Sequence, residues 1–180
     1  QESQVSNITG KKFYTGIGSR STPPHILHLM AYIAHVMSKN GYTLRSGGAD
    51  GADLAFEEGA GELKEIYLPW KGFNNSNSHL YSISDAAMHM ASTLHPRWQY
   101  IPESVKKLMA RNCYQILSED LNTPSEVVVC WTPDGCTSSN TRTPKTGGTG
   151  QAIDLADRSG IPVYNLQNNS DIIKLLNILL

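Results

Sequence analysis

Two stretches of this chain read the same way, and that repetition constrains its fold more than anything else in the sequence. Lys12-Phe13-Tyr14-Thr15 is a short β-rich run that passes through Gly16-Ile17-Gly18-Ser19-Arg20 into a helix running to about Asn40. Tyr42 to Arg45 then passes through Ser46-Gly47-Gly48-Ala49-Asp50-Gly51-Ala52-Asp53 into a helix that ends near Gly59-Ala60-Gly61. In the first helix Ile26, Met30, Ile33 and Met37 recur at helical spacing. Thr22 reads as its N-cap with proline at the first helical position, and Asn40-Gly41 as its stop. Strands joined through helices lie parallel, with right-handed crossovers, so every turn of this kind falls on the same carboxyl edge of the sheet.

The rest of the chain extends the pattern with one interruption. Residues 64–68 form a third strand, closed by Pro69-Trp70-Lys71-Gly72. Residues 73–101 break the rhythm, with a polar loop, a helix predicted over 85–92 and a second break at His95-Pro96-Arg97-Trp98, and read as an insertion beside a ligand cleft within one domain spanning 1–180. Pro102-Glu103 opens a helix to about Leu117. Residues 126–131 are a nearly continuous apolar run, as in a central strand covered on both faces. The polar stretch 132–146 is long for a passive connection and reads as a lid or binding loop. It delivers the chain to Gly147-Gly148-Thr149-Gly150, a helix to about Ser159, a strand over 161–164 and a terminal helix over 170–180. That last helix is apolar nearly all round, so it is either buried or a subunit contact, which fits a homo-oligomer, most simply a dimer.

Glycine-rich strand-to-helix turns let a backbone approach a ligand closely and aim free helix N–H groups at an anion, usually a phosphate. Composition narrows the partners. With 180 residues, 39% hydrophobic and 17% charged, the chain can bury a core of its own. A net charge of −1 gives no global attraction to nucleic acid or membrane, so neither is expected as a partner. Cys113, Cys130 and Cys136 form no CxxC pair, and there is no apolar run of membrane-spanning length, which together predict a cytoplasmic protein without a metal centre.

Taken in order, these turns resemble the SLOG superfamily of Rossmann-like nucleotide-binding proteins, which includes the LOG phosphoribohydrolases and the DNA-processing protein A family. The likeness is greatest to small stand-alone phage or bacterial SLOG proteins. Gly16-Ile17-Gly18-Ser19 is similar to the first phosphate-side turn of that family, Ser46 to Gly51 to the second, residues 64–69 to the third strand and its proline, and Gly147-Gly148-Thr149-Gly150 to the glycines of the LOG motif PGGxGTxxE. The resemblance implies a three-layer α/β sandwich around a mostly parallel sheet of about five strands. It also implies a nucleotide ligand held by Gly16, Ile17, Gly18, Ser19, Arg20, Ser46, Gly47, Gly48, Asp50, Arg111, Asn112, Gly147, Gly148, Thr149, Gly150 and Gln151, with Trp70 near the base and no cofactor required. Read from the residues alone, Asp50 and Asp53 are helix caps, and Trp70 is as much a core position as a stacking one.

In the LOG enzymes a glutamate and an arginine support cleavage of an N-glycosidic bond. Here Thr146 replaces the motif's proline, Gln151 its threonine and Asp154 its glutamate, while Arg111 matches the arginine. An intact cradle with altered catalytic positions predicts a carrier, sensor or sponge for a nucleotide signal such as an ADP-ribose derivative or a cyclic nucleotide, as in a phage counter-defence protein. Two alternatives stand beside it. One is a phosphoribohydrolase using Arg111 and Asp154. The other is single-stranded DNA binding, which needs a basic groove with stacking aromatics.

Overall fold

The computed structural model describes residues 11–180. Its sheet has five strands in the order β3-β2-β1-β4-β5, with every pairing parallel. The strands are β1 (Lys12–Gly16), β2 (Tyr42–Ser46), β3 (Lys64–Ile66), β4 (Val128–Cys130) and β5 (Val163–Asn165). The helices are α1 (Pro24–Lys39), α2 (Ala52–Ala60), α3 (Asp85–Leu94), α4 (Glu103–Leu117), α5 (Thr149–Arg158) and α6 (Asn169–Leu179). This is the α/β, Rossmann-like, three-layer architecture that the repeated strand-turn-helix pattern predicts. The chain winds from β1 outward to β3, then returns to the other side of β1 to lay down β4 and β5, so the order reverses between β1 and β4. Open parallel sheets bind ligands at such a reversal, beyond the carboxyl ends of the strands.

Alternation along the strands divides the core into two layers. Tyr14, Leu44, Ile66, Val129 and Trp131 pack with α1, α2 and α6 on one face. Val128 and Cys130 pack with α3, α4 and α5 on the other, joined there by Ile17 just beyond β1. Each successive side chain of a strand points to the opposite face, which is why the run around β4 is apolar at every position.

Several local expectations are corrected. Pro23, not Thr22, occupies the N-cap of α1, with Pro24 at the first helical position. The Thr22 hydroxyl instead donates to the Ser19 carbonyl at 2.6 Å, closing the turn that precedes the helix. β3 is shorter than predicted because pairing passes at its end from β2 to the following stretch: Tyr67 N still donates to Ser46 O at 2.9 Å, but Tyr67 is also bridged to Leu80 and Leu68 N donates to Leu80 O at 2.8 Å. The terminal helix is apolar on paper, yet it buries Leu175 and leaves Ile173 and Ile178 exposed. No described helix is long and apolar enough to cross a membrane.

Residues 132–146 are not a structureless strap. They fold into two short helical turns, Ser139–Thr141 and Pro144–Thr146, around the carboxylate of Asp134. That carboxylate accepts from the hydroxyls of Thr132 (2.8 Å), Thr143 (2.7 Å) and Thr146 (2.5 Å) and from Cys136 N (3.3 Å). Four donors on one carboxylate hold its pKa down at about 2, against the opposing effect of burial.

Candidate functional site

A cleft of about 440 Å³ opens at the reversal between β1 and β4. Its first wall is the turn after β1, where Ile17, Gly18, Ser19, Arg20 and Ser21 line the cleft. Serine chemistry shapes this turn: Ser21 N donates to Ser19 Oγ at 3.0 Å, and the two hydroxyls lie 2.8 Å apart. Gly18 is required by close approach, since a Cβ there would sit 2.8 Å from the Cβ of Ala52 and 3.0 Å from the Trp131 carbonyl. The opposite wall is Lys145, Thr146, Gly147, Gly148 and Thr149, where the threonine loop runs into α5. Gly148 is the N-cap of α5, so the positive end of that helix faces the cleft.

Helix α4 forms the floor through Leu108, Met109, Arg111, Asn112 and Gln115. Arg111 is buried, and its contacts explain the second glycine turn. Its Nη1 donates to the carbonyls of Gly47 (2.5 Å) and Tyr67 (3.2 Å), and its Nε to Asn112 Oδ1 at 3.1 Å. With its amide oxygen turned toward the turn, Gln115 accepts from Gly47 N at 3.1 Å and from Arg111 Nε at 3.2 Å. A Cβ on Gly47 would collide with the end of the Gln115 side-chain amide and lie 2.8 Å from Arg111 Nη1. Gly47 is therefore glycine to admit two side chains of the protein itself.

Charge at the floor is balanced by one acid. Asp53 lines the cleft, is buried, and accepts from Ala49 N at 3.2 Å. Burial pushes its pKa up to about 6, outweighing the attraction of Arg111 and the bond from Ala49. Burial likewise brings the Arg111 guanidinium down to about 10, with Asp53 opposing that change and the positive Arg20 adding to it. Arg20 and Lys145 are exposed at the mouth, so three cations and one carboxylate face the same space.

Of the predicted ligand residues, the structure brings Ile17, Gly18, Ser19, Arg20, Arg111, Asn112, Gly147, Gly148 and Thr149 into this cleft. It does not bring Gly16, Ser46, Gly47, Gly48, Asp50, Trp70, Gly150 or Gln151 to the lining. Gly16 lies at the end of β1 against Phe56, and Ser46 Oγ donates to its carbonyl at 2.7 Å. Asp50 accepts from Asn74 Nδ2 at 3.0 Å, an amide that also donates to the Gly48 carbonyl at 2.9 Å. Gly150 packs under Arg142 and Thr146. Gln151 is fully buried, where it accepts from Asn112 Nδ2 at 3.1 Å and ties α5 to α4. Trp70 stands outside the cleft, 38% exposed, with its ring edge-on to Phe73 at 5.4 Å. Phe73 in turn lies 5.6 Å from the guanidinium of Arg111.

Arg111 and Asp154 are not joined across one cleft. The Asp154 carboxylate accepts from Ser139 Oγ (2.6 Å), Arg142 Nη1 (3.2 Å) and Arg158 Nε (2.7 Å), and does not line the cavity. Those donors hold its pKa below the usual carboxylate range. A carboxylate so occupied serves as an anchor for the loop, because a general acid or base needs a free oxygen at the reacting atom. Sequence reasoning missed Lys145, Asp53 as a lining residue, and Gln115. Lys145 had a visible signal, a cation two residues before Gly147-Gly148, but Gln115 had none, since only the packing of α4 on β2 brings it to the turn.

No family model matches the sequence, and a search of curated proteins finds no match. Among solved structures the chain is similar to DNA processing protein A from Helicobacter pylori, whose structure describes a unique single-stranded DNA binding mode. The likeness has a TM-score of 0.53 at 18% sequence identity and covers 96% of this chain and 75% of that one. It agrees with the Rossmann-like fold. It also overturns the expectation that nucleic acid is not a partner, because a protein of this fold binds it. Net charge is a poor guide here, since a total of −1 coexists with Arg20, Arg111 and Lys145 gathered at one cleft.

Proposed function

We propose that this chain binds single-stranded DNA, seating a backbone phosphate in the cleft between the Gly18-Ser19-Arg20 turn and the start of α5. The observation that carries this reading is the convergence of Arg20, Lys145, Arg111 and the N-terminal end of α5 on one cavity at the carboxyl edge of a parallel sheet. Arg20 and Lys145 neutralise the phosphate at the mouth, while Arg111, already spent on Gly47 and Tyr67, sets the floor and its field. The likeness to a single-stranded DNA-binding protein of the same fold supports the choice of ligand.

A second reading, a free nucleotide held as a signal, is favoured by the cavity volume, which falls within the range of small-molecule sites. Fluorescence polarisation with a labelled thymidine oligonucleotide separates the two. DNA binding is expected to weaken with salt, with a log-log slope of about −0.7 per phosphate contacted, and to lose about one contact in each of Arg20→Ala and Lys145→Ala. Displacement of the strand only by a mononucleotide, or salt-insensitive or absent retention of DNA, would replace it with the nucleotide reading.

A further inference from the structure

Outside the cleft, the segment that leads into α4 carries a second group of residues with nucleic-acid chemistry. A short helical turn, Trp98–Tyr100, precedes the helix, and Tyr100 is 77% exposed. The Arg97 guanidinium lies 5.6 Å from the centre of the Tyr100 ring, and the Lys106 ammonium lies 5.4 Å from that of Trp98. The turn is braced: Tyr100 N donates to Arg97 O at 2.9 Å, Arg97 N donates to His95 Nδ1 at 3.0 Å, and Trp98 packs against the core beneath. Among the described residues neither Arg97 nor Lys106 has a carboxylate within 4 Å.

Two features make this more than an exposed aromatic. Cations seated over ring faces, without acidic partners, are a polar surface that keeps its positive charge for something outside the chain. Residues 97–107 hold Arg97, Lys106 and Lys107 against the single acid Glu103, in a protein whose total charge is −1. The patch also adjoins the cleft along α4, because Lys106 and the floor residue Met109 stand three residues apart on one side of the helix. A duplex hides its base faces, whereas a single strand offers them to an exposed ring with a cation beside it.

We infer that this aromatic and basic surface is a second contact for single-stranded DNA, with a base stacked on Tyr100 and the backbone drawn past Lys106 into the cleft. The inference rests on the proposed function and adds a direction to it: the strand leaves the cleft along the N-terminal half of α4. The cleft alone fixes one phosphate, so the second contact matters only for a ligand long enough to reach it.

Polarisation binding with thymidine oligonucleotides of about three and about 12 nucleotides tests this on the whole chain, because short strands fill the cleft and long ones reach the turn. The wild type is expected to bind the long strand more tightly. Tyr100→Ala should weaken the long strand about tenfold and leave the short one unchanged, Tyr100→Phe should restore it, and Glu103→Gln should tighten it. Lys106→Gln should flatten the salt dependence of the long strand by about one contact. Tyr100 is exposed, so its loss leaves the fold intact, which thermal melting verifies. If Tyr100→Ala binds both lengths like the wild type, the second contact is refuted and the cleft stands. If the wild type binds neither strand, the proposed function falls and this inference with it.

Discussion

Asp53 offers the sharpest test of how the cleft is built. Its carboxyl titrates at about 6, against an ordinary value of 3.8, because burial penalises its charge by more than Arg111 and the Ala49 amide return. A folded state that holds this proton more tightly than the unfolded chain is stabilised below about pH 4 and loses that stability as pH rises through about 6. The gap corresponds to about 3 kcal/mol, and the attraction of Arg111 is already contained in it. Asparagine copies the protonated form, keeps an acceptor for Ala49 N, and leaves Arg111 its bonds to Gly47, Tyr67 and Asn112. Asp53→Asn should therefore match the wild type at low pH and exceed it at neutral pH. For a domain of this size the difference in Tm should grow by roughly 6–12 °C between pH 4 and pH 7.5. The same charge repels a phosphate, so oligonucleotide affinity in the wild type should rise on acidification through about pH 6, and the variant should be flat across that window. Differential scanning calorimetry over the pH series, paired with polarisation binding, reads both effects. Melting curves that differ by a constant at every pH, or a variant less stable at neutral pH, would refute the reasoning.

Gly47→Ala should cost about 1–3 kcal/mol in urea unfolding, because its Cβ meets Gln115 and Arg111 in a packed floor. Gly72→Ala meets no atom within 4 Å and should cost only about 1 kcal/mol for its left-handed φ, so equal losses at the two sites would count against the account of the second turn. Asp154→Ala frees Ser139, Arg142 and Arg158 together, and trypsin should then cut after Arg142 or Lys145 several-fold faster than in the wild type. Unchanged cleavage would mean that this carboxylate does not anchor the loop.

Much of this is legible in the sequence. The helical spacing of Ile26, Met30, Ile33 and Met37, all buried in α1, and the unbroken apolar run at β4 depend only on local periodicity. The glycine turns were legible as turns, but the residue each turn faces was not. Gly18 and Gly148 face the cleft, whereas Gly47 faces Arg111 and Gln115, and nothing in a glycine-rich string says which partner crowds it. Asp154 failed as a catalytic candidate for the same reason: its three donors come from three positions spread over the loop and α5. The stretch 132–146 is legible as a long polar lid or binding loop, but the convergence of Thr132, Thr143 and Thr146 on Asp134 that folds it is not.

Arg142 joins parts of the chain that the sequence keeps far apart. One of its nitrogens bonds both the Leu94 carbonyl at the end of α3 and the Asp154 carboxylate on α5, while Asp134 braces the same loop from its other side. A wall tied at both ends is expected to stay in place when a ligand arrives. Encounter with the cleft should then be governed by diffusion and charge, giving one concentration-dependent association phase in stopped flow. Arg20→Ala and Lys145→Ala should then slow association, whereas Tyr100→Ala should shorten the lifetime of the complex.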